Sequence, residues 1–236
     1  MRPINRGSAP RTYTKYEDAK QDLVNQLGSY CSYCERRIVT LLAVEHIQPK
    51  SLPQYAHLET EWTNFLLACV NCNSAKLATP VEFDQFIMPD RDNTFVAFKY
   101  EENGRVEVLD TLTPAHQAMA SATCELVALN RLEHQGWKED MLFSALERIS
   151  QRVQAWIQAK EARLDYENGR SSARAIAREA ASAGLFSIWM AAFEGCSEVR
   201  KEIIKAFPNT AMDCFDQATD AVSPRPSNGL AHGGKL

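Results

Sequence analysis

Apolar positions follow a helical period near the start of the chain, a short alternating pattern up to about residue 110, and a helical period again beyond it. Tyr16, Ala19, Leu23 and Leu27 share one helical face, and Gly28 supplies a C-terminal stop. Thr14-Lys15-Tyr16-Glu17 has the form of a capping box, with Thr14 as N-cap and Glu17 at N3. The loosely alternating, Val/Ile/Leu-rich stretch from Arg36 predicts a short strand ending at Glu45-His46-Ile47, before Pro49. Residues 48–61 read as a polar loop, Phe65–Ala68 as a second strand, and a short helix follows from Asn71 or Cys72 to about Leu77. Thr79-Pro80-Val81-Glu82 resembles a further helix start.

Beyond residue 93, two apolar runs flank Glu101-Glu102-Asn103-Gly104, and Asn-Gly is a strong hairpin signal. From Thr113-Pro114 onward the pattern is helical. Leu142, Leu146, Ile149, Val153, Trp156 and Leu164 predict one apolar face of a long helix between Gly136 and Gly169. Further helices are expected over 171–183, 185–194 and 198–206. The Pro/Gly-rich tail predicts disorder, and residues 1–13 read as an extended arm, either solvated or touching nucleic acid. The class is α+β. The expected division is an arm and helix (1–30), a cysteine-bounded module (31–80), a hairpin and helical region (81–218) that docks a partner or positions substrate, and a tail (219–236).

Composition changes this picture little. The chain has 236 residues, 45% of them hydrophobic and 24% charged, with a net charge of −4. No apolar run spans a bilayer, so no membrane partner is expected. The start carries no secretory h-region, so the expected compartment is the cytoplasm. Charge is uneven: Arg2, Arg6, Arg11, Lys15 and Lys20 crowd the first twenty residues against only Glu17 and Asp18. This pattern fits a protein that meets a phosphate backbone locally.

The chemistry concentrates between Cys31 and Lys76. Cys31/Cys34 and Cys69/Cys72 are two Cys-x-x-Cys knuckles, and four thiolates in that spacing make a closed, structural zinc site. A redox dithiol would follow a strand in a βαβ unit, which is absent here. The segment between the knuckles supplies Glu45 and His46. Histidine can act as a general base near neutral pH. Glu45 and Asn73 offer hard oxygen ligands suited to Mg²⁺ or Mn²⁺. As neighbours on a strand, Glu45 and His46 face opposite ways, so a bulge or a strand end is needed to serve one site.

These residues resemble an HNH endonuclease of the ββα-metal type, in the treble-clef-like subgroup pinned by a four-cysteine zinc. An acidic residue followed by His, a central Asn and a final Asn or His form that signature; here they are Glu45-His46, Asn64 and Asn73. The resemblance implies that His46 is the general base, that Glu45 and Asn73 bind the catalytic metal, and that Asn64 ties down the loop orienting His46. Lys76 matches a basic residue that approaches substrate phosphate. Many relatives end with His, so Asn73 implies weaker affinity for soft metals.

Met1-Arg2-Pro3-Ile4, the helical half, Gly184–Trp189 and Ala206–Thr210 are similar to the PtuB nuclease subunits of Septu-type and retron-associated anti-phage defence systems. That similarity implies an ABC-like, PtuA-like ATPase partner and a nucleic-acid target, DNA before RNA. The alternatives are a non-catalytic zinc module binding nucleic acid or a partner, and a stand-alone restriction or homing-type nuclease. Outside the segment, His57 reads as a solvated loop residue, and His116 and His134 have no ligand neighbours at metal spacing. Cys124, Cys196 and Cys214 read as small buried hydrophobes, Trp137, Trp156 and Trp189 as core or interface anchors. Arg163, Arg170, Arg174 and Arg178 read as a solvated charged face.

Overall fold

The computed structural model describes residues 1–130, 139–216 and 222–236. The expectations for His134, Gly136, Trp137, the Leu142 side chain and tail residues 219–221 lie outside them. Helix α1 spans Ala19–Leu27, strand β1 Ala43–His46, strand β2 Phe65–Ala68 and helix α2 Val70–Lys76. A hairpin follows, β3 Phe98–Tyr100 and β4 Val106–Val108, and then α3 Pro114–Leu126, α4 Glu139–Glu167, α5 Ala173–Ala183, α6 Phe186–Ala192 and α7 Ser197–Ala206. Both sheets are two-stranded and antiparallel. The fold is therefore mixed α and β, as the patterning indicates.

In β1–β2, Ala43 lies opposite Ala68, Val44 opposite Leu67, Glu45 opposite Leu66 and His46 opposite Phe65. Every residue of β2 is buried. A fully covered strand explains its unbroken apolar run. Helix α1 packs on both strands of this sheet, and α2 packs on both as well.

Three local expectations give way to tertiary contacts. Tyr16–Asp18 form a 3₁₀ turn with Lys15 as N-cap and no side-chain cap, so the Thr14/Glu17 capping box does not form. No helix starts at Thr79. Val81 is instead buried, its backbone clasped by the Gln48 amide, which accepts from Val81 N at 3.1 Å and donates to its carbonyl at 2.6 Å.

The third correction concerns α4. Its buried line is Ala145, Arg148, Arg152, Ala155, Ala159 and Ala162, at alternating spacings of three and four, while of the expected face Leu146 and Leu164 are at least half exposed and Ile149, Val153 and Trp156 are half-buried. Alanine allows α6 to approach α4 closely, and larger side chains would hold the two helices apart. Arg152 is buried because its guanidinium caps two carbonyls, Gly104 O at 2.7 Å and Leu129 O at 2.6 Å. Gly104, at φ +81°, lies so close to the Ile149 carbonyl that an added Cβ would sit 2.7 Å from it. The Asn-Gly turn is thus required twice, for its backbone angle and for α4 to pass over it.

Both chain ends are packed. Ile4 pairs with Thr210, and Met1 and Ile4 are buried. Arg2 donates to Leu27 O at 2.8 Å and Pro208 O at 2.9 Å. Arg6 donates to Phe65 O at 2.5 Å and is paired with Asp90 at 2.9 Å. The basic cluster of the first twenty residues is therefore divided: Arg2 and Arg6 are internal, whereas Arg11, paired with Asp22, and Lys15 and Lys20 lie at the surface.

The tail from Val222 is not loose either. Asn228 donates to Asp90 O at 2.7 Å, Lys235 reaches Asp92 at 3.0 Å, and Leu236 O accepts from Asn93 N and Arg225 N. It has almost no regular structure, as its composition dictates, but these bonds hold it against the 89–93 segment. Trp189 is fully buried, Trp156 donates to Tyr100 O, and Arg170 pairs with Asp165 at the surface.

Candidate active site and metal centre

Cys31 and Cys34 lie in a tight turn closed by Glu35 N on Cys31 O, and Cys69 caps α2 with Cys72 in its first turn. One ligand atom from each lies within 4.8 Å of all the others, and Cys34 Sγ stands 3.7 Å from Cys69 Sγ. A tetrahedral zinc with Zn–S near 2.3 Å requires sulfurs about 3.8 Å apart, so the four cysteines fit that ion. Hydrogen bonding with Cys31 holds the Cys34 thiol down to about 7 and holds Cys69 down as well. Arg36 donates to Cys69 Sγ at 3.5 Å and to Gln151 on α4 at 3.1 Å. Four thiolates around a divalent ion leave a charge of about −2, and Arg36 is a counter-charge for it. The patterning left Arg36 unassigned, although a cation two residues after the knuckle was a readable signal.

The knuckle is also welded to the helical half. Glu35, at φ +62°, accepts from Ser187 N at 3.1 Å and Ser187 Oγ at 2.6 Å, and its carbonyl accepts from Leu185 N. A carboxylate at the start of α6 satisfies backbone donors that have no partner within the helix.

His46 is the last residue of β1, at the end of a regular ladder without a bulge and next in sequence to Glu45. Its Nε2 lies 2.9 Å from Glu59 O. A carbonyl only accepts, so Nε2 carries the proton and Nδ1 holds the lone pair of the neutral ring. Tyr16 and Phe65 meet the imidazole edge-on, with centroids at 4.8 and 5.2 Å. Burial lowers the His46 pKa, which favours the neutral form, and the Glu59 carbonyl partly offsets this.

Asn64 fixes the loop that carries Glu59. Its amide nitrogen donates to Gln48 O at 3.0 Å and Leu58 O at 3.2 Å, and its oxygen accepts from Gln48 N at 2.7 Å. Glu59 acts here through its backbone, which leaves no sequence signal. His57 is exposed in the same loop.

Glu45 is buried, and its Oε1 makes no hydrogen bond. Burial raises its pKa, and Lys76, 3.1 Å away, works against that rise. Asn73 is half-buried on α2, which packs against β1. A carboxylate and an amide oxygen suit a hard divalent cation, and Lys76 engages one carboxylate oxygen only. Lys76 departs from expectation. It is 1% exposed, and its Nζ also donates to His46 O at 2.9 Å. A side chain so placed does not reach a phosphate in solvent.

The family model for HNH endonuclease matches residues 31–78. No curated protein matches the chain. The matched span contains both cysteine knuckles, Glu45, His46, Asn64, Asn73 and Lys76.

Proposed function

We propose that this chain is a metal-dependent endonuclease that hydrolyses phosphodiester bonds in nucleic acid, DNA in preference to RNA. The observation that carries the reading is the His46 ring. Its Nε2–H is committed to Glu59 O, its Nδ1 is the free base, and it adjoins a carboxylate opposite an Asn-bearing helix. Zinc at Cys31, Cys34, Cys69 and Cys72 would hold the scaffold. Glu45 and Asn73 would hold a Mg²⁺ or Mn²⁺ ion, which when bound stabilises charge on the leaving 3′ oxygen.

His46 Nδ1 takes a proton from the attacking water, and the ring becomes an imidazolium whose Nε2–H stays on the Glu59 carbonyl. Tyr16 and Phe65 keep the ring from rotating, so the base is oriented before substrate arrives. Asn64 maintains the loop geometry on which that orientation depends. In the cell, the reading extends to the nuclease subunit of a bacterial anti-phage complex with an ABC-like ATPase, supported by the sequence similarities at Met1–Ile4, Gly184–Trp189 and Ala206–Thr210.

The test is cleavage of plasmid and of RNA with Mg²⁺ or Mn²⁺, with and without EDTA, alone and with an ATPase encoded nearby. His46→Ala is expected to abolish cleavage while keeping bound zinc and the thermal midpoint. Retained nicking would sink the mechanism. The near-complete burial of Glu45 and His46 favours a second reading, a non-catalytic zinc module. Absence of cleavage under every metal, with the ATPase present, would establish it.

A further inference from the structure

Resting on the nuclease reading, we propose that Lys76 is a positioning residue of the centre. Its ammonium, held between the Glu45 carboxylate and the His46 carbonyl, fixes how β1 presents Glu45 to α2. The geometry is specific. Lys76 occupies the last turn of α2, the helix that also carries Cys72 and Asn73. Its Nζ lies 3.1 Å from Glu45 Oε1 and 2.9 Å from His46 O, contacting both members of the Glu-His pair.

A buried ammonium is costly unless an anion and acceptors surround it. Here those groups are the proposed ligand and the backbone of the proposed base. Withdrawing Lys76 toward a substrate phosphate would strand Glu45, whose Oε1 has no other partner. The ammonium therefore stays, and it leaves the second carboxylate oxygen for a cation. Because Cys69 caps α2 and Cys72 lies in its first turn, one short helix links three things: the cysteine knuckle, Asn73 and the clamp on Glu45. Loss of zinc would disturb the Glu45–Asn73 spacing through this helix.

The experiment uses the zinc-loaded full chain and compares wild type with Lys76→Met. It reads Mn²⁺ binding by electron paramagnetic resonance, affinity for a labelled DNA duplex over a salt series, and kcat. A positioning role predicts that Mn²⁺ affinity and kcat fall about ten- to a hundredfold, as for residues that orient metal ligands. Duplex affinity and its salt slope stay unchanged. Unchanged Mn²⁺ affinity would overturn the proposal. So would weakened duplex binding with a salt slope reduced by about one, the sign of a lost phosphate contact.

Should Lys76→Met lose zinc or fold, Glu45→Gln/Lys76→Met leaves no lone buried charge and provides the duplex measurement. Unchanged binding supports positioning, and weakened binding overturns it. A wild type that binds Mn²⁺ through Lys76-dependent geometry yet cuts neither DNA nor RNA would end the nuclease reading and keep the positioning role. A wild type without any Mn²⁺ site would overturn the positioning role itself.

Discussion

At the scale of single residues, the centre depends on which atoms are already engaged. His46 is oriented by a carbonyl and two aromatic edges, and Asn64 holds the carbonyl's loop through three hydrogen bonds. Asn64→Ala removes all three and leaves the Gln48 N–H unpaired in the interior. We expect a loss of about 2 kcal/mol in urea denaturation, together with a drop in kcat larger than any change in KM. Asn64→Asp keeps the acceptor but loses both donors, and should fall between wild type and Asn64→Ala. His46, Glu45 and Asn64 were legible as residue types at a spacing. The buried state of Lys76 was not, because a lysine in sequence carries no sign of which side chain faces it.

Among elements, α4 shows how periodicity can misplace part of a face. Two stripes run along it: the expected one, of which Leu146 and Leu164 face outward while Ile149, Val153 and Trp156 are half-buried, and the alanines with Arg148 and Arg152, fully inward. Hydrophobicity favours the first stripe, but close helix approach requires the second. Ala159→Leu is expected to overpack the α4–α6 contact and cost about 1–3 kcal/mol. Leu164→Gln, on the exposed face, should change stability by less than about 0.5 kcal/mol. Thermal melts of the two variants decide between the faces, and a larger loss from Leu164→Gln would contradict the packing seen here. The other elements were readable where local signals agreed with burial, as in β2, α3 and α7. They were missed at Thr14 and Thr79, where a capping sequence met a competing tertiary contact.

For the molecule as a whole, the zinc knuckle and the helical half share one hydrophobic core. Glu35 joins them by placing its carboxylate on Ser187 at the start of α6. Glu35→Ala should therefore destabilise the whole chain by about 2 kcal/mol, with zinc retained. A melt showing only a local transition would argue for two independent units. Removing zinc should have a larger reach. About one zinc per chain is expected from a chromogenic chelator assay, and its release should coincide with loss of near-ultraviolet circular dichroism. Arg36→Gln should speed that release, because the thiolate cluster loses its nearest cation.

The sequence by itself determined the donor sets. Four soft sulfurs in two knuckles fit a zinc ion, and Glu45 and His46 between them and Asn73 just after them offer oxygen and imidazole donors, because donor type and spacing are covalent properties of the chain. It also determined most helices, the strands β1 and β2, and the Asn-Gly hairpin, since period and turn residues act locally. Only the tertiary structure decided which groups were free. It buried Arg2, Arg6 and Lys76, turned α4 onto its alanines, and packed a tail whose composition suggested none of this. Each outcome depends on partners far away in sequence, and burial energy is settled by those partners rather than by the residue alone.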